Sequence, residues 1–386
     1  MTTATALEPV EVRARVAAEV AAAHADDVDR TARFPAESMA ALAEARLLGS
    51  SVPVELGGEG LALAVLVGIA AMLGAACSST GMIFAMHHSQ VLSLTRHLGG
   101  SPALAALASR IAREQLVLAS ATTEIGIGGD VRSSTCHVDR QGDRVHLVKH
   151  APVISYGDSA DLVLVTARRD ADAAPGDQVL LACDSDQVAL EPRGTWDTLG
   201  LRGTSSRGYL LTADVPADRL IPAPYEEISS ETMLPVSHAL WAGVWLGMAR
   251  AAVDTARRYV QSAARKAIGT TPPGAPALVA LVAKLDALEL QVMDAARTWD
   301  ALRDDREALG RIGFMVRMNN LKVTASEAVA DIVAGALRIT GISGFRNDGE
   351  HSVARLFRDA QGAALMVHND RITAQTAQLL LVQKRS

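Results

Sequence analysis

Residues 144–169 read RVHLVKHAPVISYGDSADLVLVTARR, two short runs rich in Val and Leu separated by Pro, Gly and Asp. Such runs, bounded by turn formers, predict β-strands. The pattern repeats downstream in DQVLLACD (177–184) and RGYLLTADV (207–215), so a β domain occupies the middle of the chain. The flanks differ. VRARVAAEVAAAHADDVDR and PAESMAALAEARLLG before it, and VSHALWAGVWLGMARAAVDTARRYVQSAARKAIG after it, place apolar residues three and four apart, the helical period. APALVALVAKLDALELQVMDAARTWDALRDD and NNLKVTASEAVADIVAGALRIT continue that period, and long helices with short links predict a four-helix bundle. The expected class is α+β, with an N-terminal all-α domain (1–117), a middle β-barrel or sandwich domain (118–228) and a C-terminal four-helix bundle (229–386).

Composition narrows the function. The chain has 386 residues, a net charge of −6 and scattered Lys and Arg, with no basic stripe for a phosphate backbone, so nucleic acid is not an expected partner. Cys77, Cys136 and Cys183 are widely separated and lack CxxC spacing, which argues against a disulfide framework or a zinc site. The N-terminus lacks a signal-peptide pattern, and a reducing cytoplasm is expected. The charge-free stretch from Gly60 to Met86 is long enough to span a bilayer. Its Gly and Ala content, its CSST break and its lack of flanking anchors favour a helix buried in the helical domain instead.

Near the C-terminus, GAALMVHNDRITAQT (362–376) sets His368, Asn369, Asp370 and Arg371 behind an apolar run, just after Arg358 and Asp359. Titratable groups against an apolar wall suit proton transfer, because burial moves a carboxylate or imidazole towards neutral pH. The alternative is a loop opening a surface helix, with Asn369 or Asp370 as its N-cap.

Six landmarks in order resemble the acyl-CoA dehydrogenase superfamily over essentially the whole chain. They are RFPAESMAALAEARLLGSSVPVELGGEG, SATTEIGIGGDV, KHAPVISYGDSADLVLVTA, TWDTLGLRGTSSRGYLLTADVPADRLI, ARKAIG and RITGISGFRNDGEHSVARLFRD. The resemblance implies an FAD enzyme with its flavin between the β domain and the bundle, in a homo-oligomer, dimer or tetramer, whose neighbouring subunit completes the adenine end. It implies that Thr122, Thr123 and the backbone near Gly128 and Gly129 contact the flavin ring and pyrophosphate region, and that Ile154 and Ser155 lie beside the ring. It implies too that Arg265 meets the phosphates or adenine end from the partner subunit, and that Gly341 and Gly344, which match the glycines of the family's later segment, belong to the cofactor site. Val153 stands where the family has Trp, and Ile268 where it has Phe.

The activity implied first is α,β-dehydrogenation of an acyl thioester, on CoA or a carrier protein, with an electron-accepting flavoprotein or oxygen as the second partner. A carboxylate takes the α proton while hydride leaves for the flavin. The family's Tyr-Glu-Gly base is absent here. Asp370 is the nearest carboxylate and the first candidate, with His368 and Asn369 beside it; Glu231, Ser237 and His238 mark a second region for a base. Some superfamily members lacking that Glu are monooxygenases, which hydroxylate aromatic, sulfur or amine substrates through a C4a-peroxyflavin. For that alternative His87, His88, Ser155, Ser205 and His368 are the candidates, with one imidazole of the His pair expected on the helix surface and one towards the core.

Overall fold

The computed structural model describes residues 7–127, 130–266 and 268–383. Five helices come first: α1 (Val10–Thr31), α2 (Ala36–Glu44), α3 (Leu63–Ala76), α4 (Ser78–Thr95) and α5 (Pro102–Glu114). The charge-free stretch is therefore two helices rather than the one expected. Cys77 breaks it with an extended backbone, φ −147° and ψ 108°. No helix among the described residues is long and apolar enough to cross a membrane.

Seven strands follow: β1 (Leu118–Ala121), β2 (Asp139–Gln141), β3 (Arg144–Ile154), β4 (Leu162–Arg168), β5 (Gln178–Asp184), β6 (Val188–Arg193) and β7 (Arg207–Pro216). They form two sheets, one ordered β1-β4-β5 and one ordered β2-β3-β7-β6. β1 and β4 are parallel, and all the other pairings are antiparallel. β3 alternates exposed and buried residues as a strand with one wet face should, whereas β4 and β5 are buried nearly throughout. Glu124 and Lys149, both from the family-like segments, are buried and lie 3.4 Å apart. Burial alone would raise the Glu124 carboxyl, but the Thr135 hydroxyl, the Lys149 charge and the Cys136 and Thr135 amides outweigh it and hold it below the usual range.

The C-terminal part comprises α6 (Tyr225–Ile228), α7 (Leu234–Lys266), α8 (Ala275–Leu302), α9 (Arg306–Leu309), α10 (Ile312–Thr340), α11 (Ile342–Phe345), α12 (Ala354–Gln361) and α13 (Asn369–Val382). A π turn, Ser229–Met233, leads into α7. α7 packs against α3, α4, α8 and α10 and so joins the N-terminal helices to the bundle. Glycines permit this approach: a Cβ on Gly247 would lie 2.0 Å from the Ala71 oxygen, and one on Gly74 would lie 2.4 Å from the Val244 oxygen. A second join is polar. The Leu201 N–H donates to Asp359 at 2.7 Å, and Arg358 pairs with Asp29, which clamps the loop before β7 between α1 and α12.

Candidate active site

The helical and β parts enclose a cavity of about 570 Å³. Ser120, Thr122 and Thr123 enter its wall at the end of β1, Val153 and Ser155 at the end of β3, and Trp196 to Leu201 from the clamped loop. α4 adds Met82, Met86 and Gln90, α7 adds Leu234, Ser237 and Trp241, and the segment after α12 adds Leu365, Met366 and Val367. The wall is mainly apolar. Its hydroxyls are largely engaged with one another: Ser155 with Ser206 at 2.8 Å, Ser206 with Thr204 at 2.8 Å, and Ser237 with Ser89 at 2.6 Å. Two buried polar atoms remain without a partner among the described residues, Gln90 Oε1 and Trp241 Nε1. The one charged group in the wall is Arg358, already paired with Asp29; no carboxylate among the described residues lines this cavity.

A second space of about 620 Å³ adjoins the first, and Tyr225 and Leu234 belong to both walls. It lies between the loop at Asp130–Ser133, the start of α7, and α10 and α13. Ser237 and His238 are neighbours on α7, where consecutive side chains diverge by about 100°; Ser237 lines the first space and His238 the second. Burial holds His238 down at about 4, with the Lys322 charge acting the same way.

The expected base is not where the resemblance implied. The Asp370 side chain is 93% exposed in the first turn of α13 and lines neither space, because the helix turns that position towards solvent. His368 is the N-cap and accepts from the Asp370 N–H at 3.3 Å; its side chain is 57% exposed. Asn369 is buried and lines neither space; Lys322 Nζ donates to its Oδ1 at 2.7 Å and its amide donates to Ser326 at 3.0 Å. Lys322 also donates to the Val367 oxygen at 2.8 Å and so secures a β-branched residue held at φ 47°. Glu231 is buried in the π turn, 3.6 Å from Arg306, and lines neither space.

Among the expected flavin contacts, Thr122, Thr123 and Ser155 do line the cavity. Ile154 does not: strand alternation turns Val153 and Ser155 to the cavity and Ile154 into the core. Gly128 and Gly129 lie outside the described residues. Arg265, exposed at the end of α7, and Gly341 and Gly344 lie outside this cavity wall of their own chain. Gly344 has no room for a side chain, since a Cβ would fall 1.9 Å from Thr340 Oγ1.

Both histidines of the α4 pair are buried, which corrects the surface placement expected for one. His87 bridges the Leu48 oxygen at 2.7 Å and the Leu118 N–H at 3.0 Å; His88 bridges Ser51 at 2.7 Å and the Leu47 oxygen at 3.0 Å. Ser205 gives way to Thr204 and Ser206 in the cavity wall. Gln90, Trp196 and Trp241 are the wall residues that motif reading passed over. For Gln90 the signal was a lone amide in a charge-free helix; for the indoles it was scarcity, since the chain has only 4 Trp.

This is the architecture of a flavoprotein oxidoreductase: a β domain and a helical bundle closing on an apolar cavity. Residues 9–124 match the family "Acyl-CoA dehydrogenase, N-terminal domain" and residues 229–367 match "Acyl-CoA dehydrogenase, C-terminal domain". The chain is 30% identical to L-evernosamine nitrososynthase of Micromonospora sp. over 370 residues, covering 89% of this chain and 82% of that one. It is 25% identical to cyclohex-1-ene-1-carbonyl-CoA dehydrogenase of Syntrophus aciditrophicus, covering 94% and 86%. FMN-bound TdsC from Paenibacillus sp. A11-2 has the same fold, with a TM-score of 0.85 at 20% identity over 98% of each chain. The chain belongs to the acyl-CoA dehydrogenase family, whose cofactor is a flavin. The cavity fits a planar, largely apolar ring: two indoles lie in its wall, hydroxyls stand at the strand ends, and Gln90 Oε1 and Trp241 Nε1 await partners.

Proposed function

We propose that the chain is a flavin-dependent monooxygenase acting on an apolar substrate, rather than an acyl-thioester dehydrogenase. The observation that carries this reading is the absence of a carboxylate from the wall of the first cavity among the described residues; the two carboxylates lining the second space, Asp130 and Glu226, are half-buried and exposed respectively. Thioester dehydrogenation needs a general base at the α proton, and such a base contributes roughly 10²–10⁴-fold in rate. Serine hydroxyls, an amide, thioethers and indoles do not take up that proton at neutral pH. The Arg358 guanidinium is a hydrogen-bond donor already engaged with Asp29.

A monooxygenase makes different demands. Reduced flavin, when bound, would supply the two electrons with which O₂ gives one atom to the substrate and releases the other as water. What the chain contributes is an apolar wall that includes Met82, Met86 and Met366 and limits water in the cavity. Ser155, linked through Ser206 to Thr204, offers a hydroxyl at the end of β3 to hold a polar edge of the ring. Trp196, which lines the same cavity as Val153, offers an aromatic surface for stacking. The relatives, a nitrososynthase and a dehydrogenase, span both chemistries.

Two mixing experiments test the reading. Anaerobic acyl-CoAs should leave the oxidised flavin yellow. Reduced flavin, labelled O₂ and a heteroaromatic such as indole should give a product carrying one labelled oxygen. Bleaching of the flavin by a thioester alone would restore the dehydrogenase.

A further inference from the structure

We propose that His238 sets substrate specificity by accepting a hydrogen bond from a hydroxyl or N–H group on an otherwise apolar substrate. This deepens the monooxygenase reading and rests on it, because the second space is taken as the extension of the substrate site.

The proton position on His238 follows from its partner. Its Nδ1 lies 3.2 Å from the Met318 carbonyl oxygen, and a carbonyl can only accept, so Nδ1 carries the hydrogen. Nε2 is then left with a lone pair and no hydrogen. The ring is 2% exposed, Nε2 has no partner among the described residues, and the residue lines the second space. A buried acceptor without a donor is destabilising until one arrives, and the residue that carries this one lines the second space. Burial together with the Lys322 charge keeps the ring neutral at ordinary pH, so it stays an acceptor and does not become a second cation. The surrounding wall sets the apolar Leu234, Phe314, Met315, Met318 and Leu379, which suit a ring system, beside the charged Asp130, Arg132 and Glu226.

The contact therefore selects by chemistry. A phenol, an alcohol or a protonated ring nitrogen supplies the missing donor, whereas an ether, a thioether or a bare hydrocarbon of the same shape leaves Nε2 unpaired. An anionic group is disfavoured, because its oxygen would face the imidazole lone pair. Tyr225 and Leu234 are common to both spaces, so a ligand holding its donor against His238 extends from there towards the cavity assigned to the flavin.

The test compares 2-naphthol with naphthalene, which differ by one O–H, as ligands of the flavin-loaded protein. Calorimetry should show 2-naphthol binding about tenfold tighter, the effect of one net hydrogen bond to a buried acceptor. In protein labelled with ¹⁵N-histidine, the His238 Nε2 resonance should be of the unprotonated type and should move upfield with 2-naphthol but not with naphthalene. His238→Phe should abolish the preference while still binding naphthalene. A protonated Nε2 in the free protein, a resonance unmoved by saturating 2-naphthol, or a preference that survives in a folded His238→Phe protein overturns the proposal. Neither readout involves oxidation. A protein that dehydrogenates thioesters yet shifts its His238 signal would retain this contact and lose the monooxygenase reading, and the converse result would do the opposite.

Discussion

At Asp370 a carboxylate stands in the first turn of α13, where the helix N-terminus favours negative charge. Its side chain is almost wholly in water and lines neither space. Asp370→Asn should leave both the melting temperature and the rate of substrate oxidation unchanged. A hundredfold loss of rate in single-turnover measurements would return Asp370 to the role of base. The polar residues that do face the cavity, Gln90 and Trp241, are unremarkable in sequence. They matter because neither Gln90 Oε1 nor Trp241 Nε1 has a partner among the described residues, and an unpaired buried polar atom in a cavity wall calls for an explanation that a ligand contact supplies.

Between elements, buried imidazoles act as joints. His87 and His88 tie α4 to the loop at Leu47–Ser51 and to β1, and His238 ties α7 to α10. Burial pushes His87 and His238 down to about 4 and His88 well below its ordinary value of 6.5. The folded state therefore refuses protons that the unfolded chain accepts below about pH 6.5. Stability should be level above that pH and fall as the pH drops from 6.5 towards 4, with each ring contributing at most about 1.4 kcal/mol per pH unit. Urea midpoints at pH 7.5, 6 and 5 check this, and equal midpoints would contradict it. The α3–α7 contact makes a separate prediction. Gly247→Ala adds a methyl group where the Ala71 oxygen already lies, and overpacking of this kind costs about 1–3 kcal/mol. A Gly247→Ala protein as stable as the parent in the same titration would show that the helices part freely.

Across the whole molecule, the cavity and Arg265 do not meet within one chain: Arg265 ends α7 in solvent, and Ile268 just beyond it is 92% exposed. The family resemblance assigns Arg265 to the flavin of a neighbouring copy. Arg265→Ala should then weaken flavin retention by about one to two decades, the effect of losing a charge-assisted hydrogen bond to phosphate. Equilibrium dialysis measures this. Unchanged retention would remove Arg265 from the cofactor site.

The helical, β and helical order was legible because the apolar period, 2 or 3.6, is a local property that each segment carries in its own residues. The family landmarks were legible for a related reason. Glu124 with Lys149 and Asp359 with Leu201 are buried pairings that the fold cannot lose cheaply, and all four residues lie in those landmark strings. What the linear chain could not decide was the direction in which a side chain points once distant elements pack. Cys77 breaks a helix that composition left whole, strand pleating turns Ser155 to the cavity and Ile154 away, and α13 turns Asp370 to water. His238 shows the limit most clearly: its neighbour Ser237 faces one space, it faces another, and only the Met318 carbonyl, 80 residues away, fixes which of its nitrogens is free.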